Sequence, residues 1–428
     1  MKTTFYLIQI LALCLLTGCG NSNTSKSTNN KNPDATEVNA PINTIKPTIN
    51  AYIENSGSMA GYVSGYSDFK DAVGDYLTNI TISPDLPDSL NLFFINQSVQ
   101  RIGYNINNYL SILTNSCNAS TSDIAQLFQK VLSLSDDDKI SIFVTDGIFS
   151  PDKGKNAHEY LKQQQKDIKE AVAKHLQKYP NTAIAVYQLS SNFNGIYYNC
   201  NDAQKKINAK RPYYIWVIGS IQNIAKLKMS AFEKNFKGGG IQHSFTLLPS
   251  LDKTVDYEIL QNPKIGSFEK IKGKNTVKTH IQKLQKASNG KNEGIFGFYI
   301  GMDLSMFQLL LSDEYLMSAN SYARLINKQI NNDYYIEIEH NTNQNNNYTH
   351  NMKLTTEKIV TGELEIILRS QMPQWVYDIN DDEGLDIFKD DAVDKTFGIK
   401  YLVEGVYEAY NIMRGNDIYT TMKFNLKR

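Results

Sequence analysis

The sequence has little cysteine, no excess of charge of either sign and no apolar run long enough to cross a membrane. Its 428 residues include four cysteines, which are too few for a disulfide scaffold. Lys and Arg together number 44, as do Asp and Glu, so the formal charge is zero. This balance argues against a protein that binds nucleic acid through bulk charge. The length indicates about two or three domains.

Motifs of the common enzyme classes are also missing. The six histidines show no His-Glu-x-x-His or other metal-ligand spacing. Ser58 lacks the glycine two residues before it that a nucleophile elbow requires, and there is no Gly-x-x-x-x-Gly-Lys phosphate loop. We therefore predict a protein that is not an enzyme.

The first nineteen residues are typical of a secretory signal. Lys2 precedes an apolar run over residues 5–16, which is too short to span a bilayer as a helix. The Leu-Thr-Gly-Cys sequence ending at Cys19 resembles the bacterial lipobox. The resemblance implies a signal peptide and lipobox at residues 1–19, a lipid anchor on Cys19 and a place at the outer membrane, facing the periplasm or the cell surface. The other interpretation is a secreted protein with a chance cysteine at its cleavage site.

Residues 20–46 are rich in Asn, Ser and Thr and poor in apolar side chains. Such a segment cannot bury enough surface to fold, so we predict a flexible tether that spans roughly 30 Å. Membrane contact is then expected through the lipid anchor alone.

Besides the anchor Cys19, processing leaves Cys117 and Cys200, which would face an oxidising compartment. A disulfide between them requires Cα atoms within about 7 Å of each other. Two buried free thiols are the alternative.

Strand and helix patterns alternate through the first half. Apolar runs at residues 48–53, 90–95, 99–102, 140–144, 183–189 and 213–218 predict strands, and apolar residues at helical spacing between them predict helices, most clearly over 157–179. Alternating strands and helices indicate an α/β domain at residues 47–235 with a doubly wound, mainly parallel sheet.

The second half has a different pattern. Alternating apolar and charged residues around 334–339 and 363–366 predict half-buried strands, and an apolar stripe over 399–410 predicts a helix before a final strand. We predict an α+β, strand-rich domain at residues 236–428 of no recognised family.

Three separate pieces of the first half together resemble the von Willebrand factor A domain, the fold of integrin-type adhesion modules. They are a strand followed by Glu54-Asn55-Ser56-Gly57-Ser58, the helix-opening Thr121-Ser122-Asp123, and a strand followed by Thr145-Asp146-Gly147. The resemblance implies a variant metal-ion-dependent adhesion site formed by Glu54, Ser56, Ser58, Ser122 and Asp146, with Thr121 as the alternative to Ser122. It also implies a protein partner, bound through a carboxylate that completes the shell of a divalent cation.

Cation chemistry explains why such a site uses these residue types. Mg²⁺ takes six oxygen ligands at about 2.0–2.1 Å in near-ideal octahedral geometry. Loops at the carboxyl ends of parallel strands can supply them from distant parts of the sequence.

Glu54 is the one departure from the family pattern, which has Asp at this place. Its extra methylene adds roughly 1.5 Å of reach, which favours Ca²⁺, whose geometry is looser than that of Mg²⁺. The alternative is an empty site in which Glu54 accepts hydrogen bonds from its own loop. The serines are also common turn and helix-capping residues.

These observations predict a lipid-anchored envelope protein that binds a protein partner, with Mg²⁺ or Ca²⁺ as the cofactor. Two alternatives stay open: an envelope hydrolase or processing factor with its site in the second half, and a structural scaffold without a metal.

Overall fold

The computed structural model describes residues 46–86, 90–117, 123–151, 154–198, 203–229, 236–251, 254–271, 273, 277–343, 346–388 and 392–428. Cys19 with the lipobox, the tether up to residue 45, Thr121, Ser122 and Cys200 lie outside these residues. The predictions that involve them stay predictions.

Seven strands form one large mixed sheet. They are β1 (Thr48–Glu54), β2 (Leu90–Ile95), β3 (Val99–Gly103), β4 (Lys139–Thr145), β5 (Thr182–Tyr198), β6 (Gln204–Ser220) and β7 (Ile241–Leu247), in the spatial order β3-β2-β1-β4-β6-β5-β7. Strand β1 is parallel to both of its neighbours, β2 and β4. The other four neighbouring pairs are antiparallel.

Helices cover both faces of this sheet. The helices of the first half are α1 (Ala60–Val63), α2 (Asp68–Ile82), α3 (Ile106–Ser116), α4 (Ile124–Ser133), α5 (Ala157–Lys178) and α6 (Ile221–Met229). Because side chains alternate along a strand, Ala51 and Ile53 pack in one core with α2 and α3, while Tyr52 packs in the other with α4 and α5. The predicted combination of a large sheet and covering helices is confirmed in this coarse form.

Strands β5 and β6 differ from the expected parallel arrangement. The sequence pattern placed short strands at 183–189 and 213–218, with room between them for a crossover. Instead each strand is 17 residues long and they pair along their whole length. Only residues 199–203 connect them. A parallel connection needs a dozen or more residues, so these strands form an antiparallel hairpin and the sheet is mixed.

The second half is strand-rich, as predicted. Its strands are β8 (Tyr257–Ile265), β9 (Ser267–Lys270), β10 (His280–Gln285), β11 (Phe296–Met302), β12 (Tyr322–Ile326), β13 (Gln329–Ile330), β14 (Tyr335–His340), β15 (His350–Thr356), β16 (Gly362–Arg369), β17 (Asn380–Asp381), β18 (Thr396–Phe397) and β19 (Ile418–Leu426). They form a six-stranded sheet (β13-β12-β16-β19-β10-β9), a four-stranded sheet (β14-β15-β11-β8) and the pair β17-β18. The helices are α7 (Ser305–Gln308), α8 (Asp313–Met317), α9 (Gln374–Asp378) and α10 (Ile399–Arg414).

Two elements from beyond residue 235 pack with the first half, one in its sheet and one in its core. Strand β7 pairs with β5 at its edge, and α10 packs in the same core as α4 and α5. Residues Lys46–Arg428 therefore form one compact unit. Among the described residues, no helix combines the length and apolar character needed to span a membrane.

Gly405 permits the close approach of α10 to α5. A Cβ at this position would lie 2.8 Å from the backbone oxygen of Gln165, which cannot move without displacing α5. We expect Gly405→Ala to lower the free energy of unfolding by about 1–3 kcal/mol, measured by urea denaturation. Alanine ordinarily stabilises a helix by up to about 1 kcal/mol relative to glycine.

Gly74→Ala is the matched control. It lies inside α2, where a Cβ would be 2.9 Å from the end of the flexible Leu110 side chain alone. We expect this variant to be neutral or more stable, and equal destabilisation of the two variants would contradict the close-packing explanation.

Candidate divalent-cation site

The carboxyl ends of β1 and β4 meet at one edge of the large sheet. The parallel register pairs Ile53 with Val144, so the next residues along, Glu54 and Thr145, are neighbours. The Thr145 hydroxyl donates to Glu54 Oε2 at 2.5 Å, and the Gly147 N–H donates to the same hydroxyl oxygen at 2.9 Å. Glu54 is thus held by Thr145, a residue from the third predicted piece.

The serine loop follows directly after Glu54. Ser56 precedes a single 3₁₀ turn at Gly57–Met59, but its side chain makes no capping hydrogen bond. Its Oγ lies 3.0 Å from Oγ of Ser58 instead. The helix-capping role considered for Ser56 is therefore not the one its hydroxyl has.

Asn55 connects this loop to its neighbours. Its Oδ1 accepts from the Asn96 amide at 2.9 Å, and its Nδ2 donates to the Ser116 carbonyl at 3.2 Å. Asn55 also extends the β1-β2 pairing, because its N–H donates to the Ile95 carbonyl. These bonds tie the loop after β1 to the ends of β2 and α3.

Asp146 is the most distinctive group of the site. Its side chain is buried, with 1 % exposure. Oδ1 accepts from the Ile148 N–H at 3.2 Å, whereas Oδ2 has no hydrogen-bond partner within the part of the chain that the structure describes. Burial raises the pKa of Asp146, and the nearby Ser58 hydroxyl, the Ile148 N–H and the charge of Arg211 offset part of that rise.

Cys117 lies close to both carboxylates. Its side chain is buried and has no disulfide partner among the described residues. Burial, followed by the charges of Glu54 and Asp146, raises the pKa of this thiol to about 12. A neutral thiol is a poor nucleophile and a poor metal ligand, so we assign Cys117 no chemical role. The disulfide predicted with Cys200 stays a prediction.

Arg211 was not singled out by the sequence analysis. It is fully buried in β6, where its guanidinium donates to the carbonyls of Val393 and Lys395 at 2.9 and 3.4 Å and lies 4.8 Å from the centroid of the Tyr197 ring. No local pattern could have indicated its burial, because its partners lie about 180 residues away.

Four of the five predicted ligands are thus described, and they lie at the same edge of the sheet. Glu54, Ser56, Ser58 and Asp146 offer only carboxylate and hydroxyl oxygens, the ligands that Mg²⁺ and Ca²⁺ prefer. The unpartnered Oδ2 of Asp146 fits a cation as its missing partner. A cation would compete with the Thr145–Glu54 and Ser56–Ser58 hydrogen bonds.

No family model, curated protein or solved structure matches this chain. The resemblance to the von Willebrand factor A domain therefore stays a prediction based on the three sequence pieces.

The pKa of Asp146 predicts a pH-dependent stability difference. Because the pKa is raised in the folded state, ionisation of Asp146 above that pKa destabilises the fold. In EDTA at pH 7, we expect Asp146→Asn to unfold with a free energy about 1–3 kcal/mol higher than that of the wild type. The gain should disappear as the pH falls below the ordinary carboxyl pKa, where the wild-type side chain is protonated in both states.

Asp138→Asn is the control for this measurement, since Asp138 is exposed at the opposite end of β4. Denaturation curves between pH 3 and pH 8 should show no comparable pH-dependent gain for this variant. A loss of stability in Asp146→Asn at pH 7 would contradict the assignment of an unpaired buried charge.

Proposed function

We propose that this protein is a lipid-anchored binding protein of the cell envelope, whose first half binds a protein partner through a divalent cation at the carboxyl edge of the large sheet. The observation that supports it best is the buried, unpartnered Oδ2 of Asp146 beside the Ser58 hydroxyl. A buried polar atom without a partner costs about 1–3 kcal/mol, and a bound cation would remove that cost.

We also propose that the first half is a doubly wound domain of the von Willebrand factor A type. The parallel β2-β1-β4 strands and the helices on both sheet faces support this proposal. In such sheets, ligands bind at the carboxyl ends of the strands, which is where the predicted oxygens lie.

Charge balance explains how a partner would be recognised. Glu54 and Asp146 together neutralise a divalent cation, while the serine hydroxyls add no charge. The nearby Arg211 weakens the field of the carboxylates, so the cation would still attract a carboxylate from a partner protein. Glu54, Ser56 and Asp146 are buried and Ser58 is partly exposed, so the partner would approach from the side of Ser58.

A metal-free scaffold is the second candidate function. It is favoured by the hydrogen bonds from Thr145 to Glu54 and between Ser56 and Ser58, which already satisfy much of the site. In this alternative the loop only fixes the edge of the sheet.

Thermal unfolding with and without cations separates the two candidates. With EDTA removed and Mg²⁺ or Ca²⁺ added at 100 times its Kd, we expect about 2.7 kcal/mol of stabilisation for the wild type. Ser58→Ala and Asp146→Asn should lose this gain, while Ser133→Ala, at the exposed end of α4, should keep it. Melting of each protein that is the same in EDTA as in either cation would favour the scaffold.

The partner is then sought in membrane extracts. Immobilised wild-type protein should retain an envelope protein in Mg²⁺ or Ca²⁺ and release that protein in EDTA. Immobilised Ser58→Ala should retain at least tenfold less of the same protein. Retention that depends on neither chelator nor Ser58 would place the partner surface elsewhere.

Lipid anchoring depends on one atom, the sulfur of Cys19. We expect Cys19→Ala to remove acylation and to shift the protein from the membrane fraction to the soluble fraction, measured by fatty-acid labelling and cell fractionation. Because membrane contact is predicted through this anchor alone, the shift should be nearly complete. Cys117→Ala is the control and should remain in the membrane fraction; unchanged labelling of Cys19→Ala would contradict the lipobox assignment.

A further inference from the structure

A second group of metal-ligating side chains lies in the strand-rich half. It consists of Asp313, the first residue of α8, His340, the last residue of β14, and His350, the first residue of β15. One ligand atom from each side chain lies within 4.8 Å of the other two. This cluster is separate from the oxygen ligands at the edge of the large sheet.

The sheet fixes the two histidines relative to each other. His340 and His350 are directly paired in the antiparallel β14-β15 ladder, and residues paired in this way extend from the same face of a sheet. Their ring centroids are 5.1 Å apart. Asp313 completes the group, with its Oδ2 at 3.1 Å from Nε2 of His340.

The hydrogen bonds of Thr349 indicate the tautomer of His350. The Thr349 hydroxyl oxygen accepts from the Leu304 N–H at 2.8 Å, lies 3.3 Å from the Met302 carbonyl and lies 2.9 Å from Nδ1 of His350. A hydroxyl has one donor and two acceptor positions. All three contacts are satisfied together when the hydroxyl donates to Met302 and accepts from a protonated Nδ1, which leaves Nε2 with a free lone pair.

This Nε2 has no partner among the described residues, although His350 is fully buried. Metal ions bind the neutral imidazole through the nitrogen that carries no proton. A ligating histidine usually donates from its other ring nitrogen to a fixed oxygen. Thr349 provides that oxygen here.

We propose that Asp313, His340 and His350 bind a Zn²⁺ ion. Two imidazole nitrogens and one carboxylate suit Zn²⁺, whereas Mg²⁺ and Ca²⁺ prefer oxygen ligands. The side chains of Asp313 and His340 are 63 % and 50 % exposed, so a fourth ligand, a water molecule or a group from another molecule, can reach the ion from solvent.

The test is Zn²⁺ binding by the purified full-length protein, measured by isothermal titration calorimetry. We expect His340→Ala and Asp313→Asn either to lose one equivalent of Zn²⁺ or to bind it more weakly by a factor of about 10–100 or more. Replacing a residue that only hydrogen-bonds to a metal ligand typically weakens metal binding by that factor. Both side chains are half exposed or more, so these variants should fold, which circular dichroism verifies. X-ray absorption of the wild-type complex should show two imidazole nitrogens at about 2.0–2.1 Å from the zinc.

Two controls match these variants. His158→Ala removes another exposed histidine, and Glu314→Gln removes the acidic charge next to Asp313 without changing Asp313 itself. Both should keep the wild-type stoichiometry and affinity. The proposal is overturned if wild type shows no saturable Zn²⁺ binding, if His340→Ala and Asp313→Asn bind as the wild type does, or if the controls lose as much affinity as the ligand variants.

Discussion

The parallel pairing of β1 with both β2 and β4 is the constraint on which the rest of the first half depends. A strand between two parallel neighbours directs all three carboxyl ends toward the same edge of the sheet. The register then places Glu54 beside Thr145, and Asn55 beside the end of β2. Helices cover both faces of β1, so the strand is buried from Ile49 onward. One arrangement of backbone hydrogen bonds thus fixes both the cores and the candidate site.

Local patterns were sufficient for elements whose apolar spacing is complete within one segment. Helix α5 matches its predicted range within one residue, and β1 and β2 match their apolar runs. The β5-β6 hairpin could not be predicted in the same way, because its polar outer parts are extended only through pairing with each other. The site shows the same division. The sequence indicated Glu54 and Asp146, but the Thr145 bond and the buried Arg211 depend on contacts between distant segments. The two histidines of the second cluster are separated by a hairpin, so no short spacing motif indicated them.

The candidate cation site has a cost in stability that ordinary packing would avoid. Asp146 is buried with one unpartnered oxygen, and Glu54 is buried close by. Arg211 compensates only in part, since the pKa of Asp146 remains raised. Where a protein breaks such a local rule of folding, the position is often a functional one. The hydrogen bonds of Glu54 and of the two serines limit the cost in the absence of a cation, which is why the site can be preformed.

The two clusters differ in the chemistry of their ligands, and under the two proposals this difference would let one chain select two kinds of cation. Oxygen ligands alone at the edge of the large sheet favour hard cations, and their near-complete burial means that a cation must shed most of its water to enter. Mg²⁺ loses water reluctantly, so Ca²⁺ has an advantage at a site where Glu54 also disturbs octahedral geometry. The histidine cluster is open to solvent on the side of Asp313 and His340 and offers nitrogen ligands that hard cations bind poorly. If both proposals hold, competition between the two clusters for one ion would be weak, and each could be filled without emptying the other.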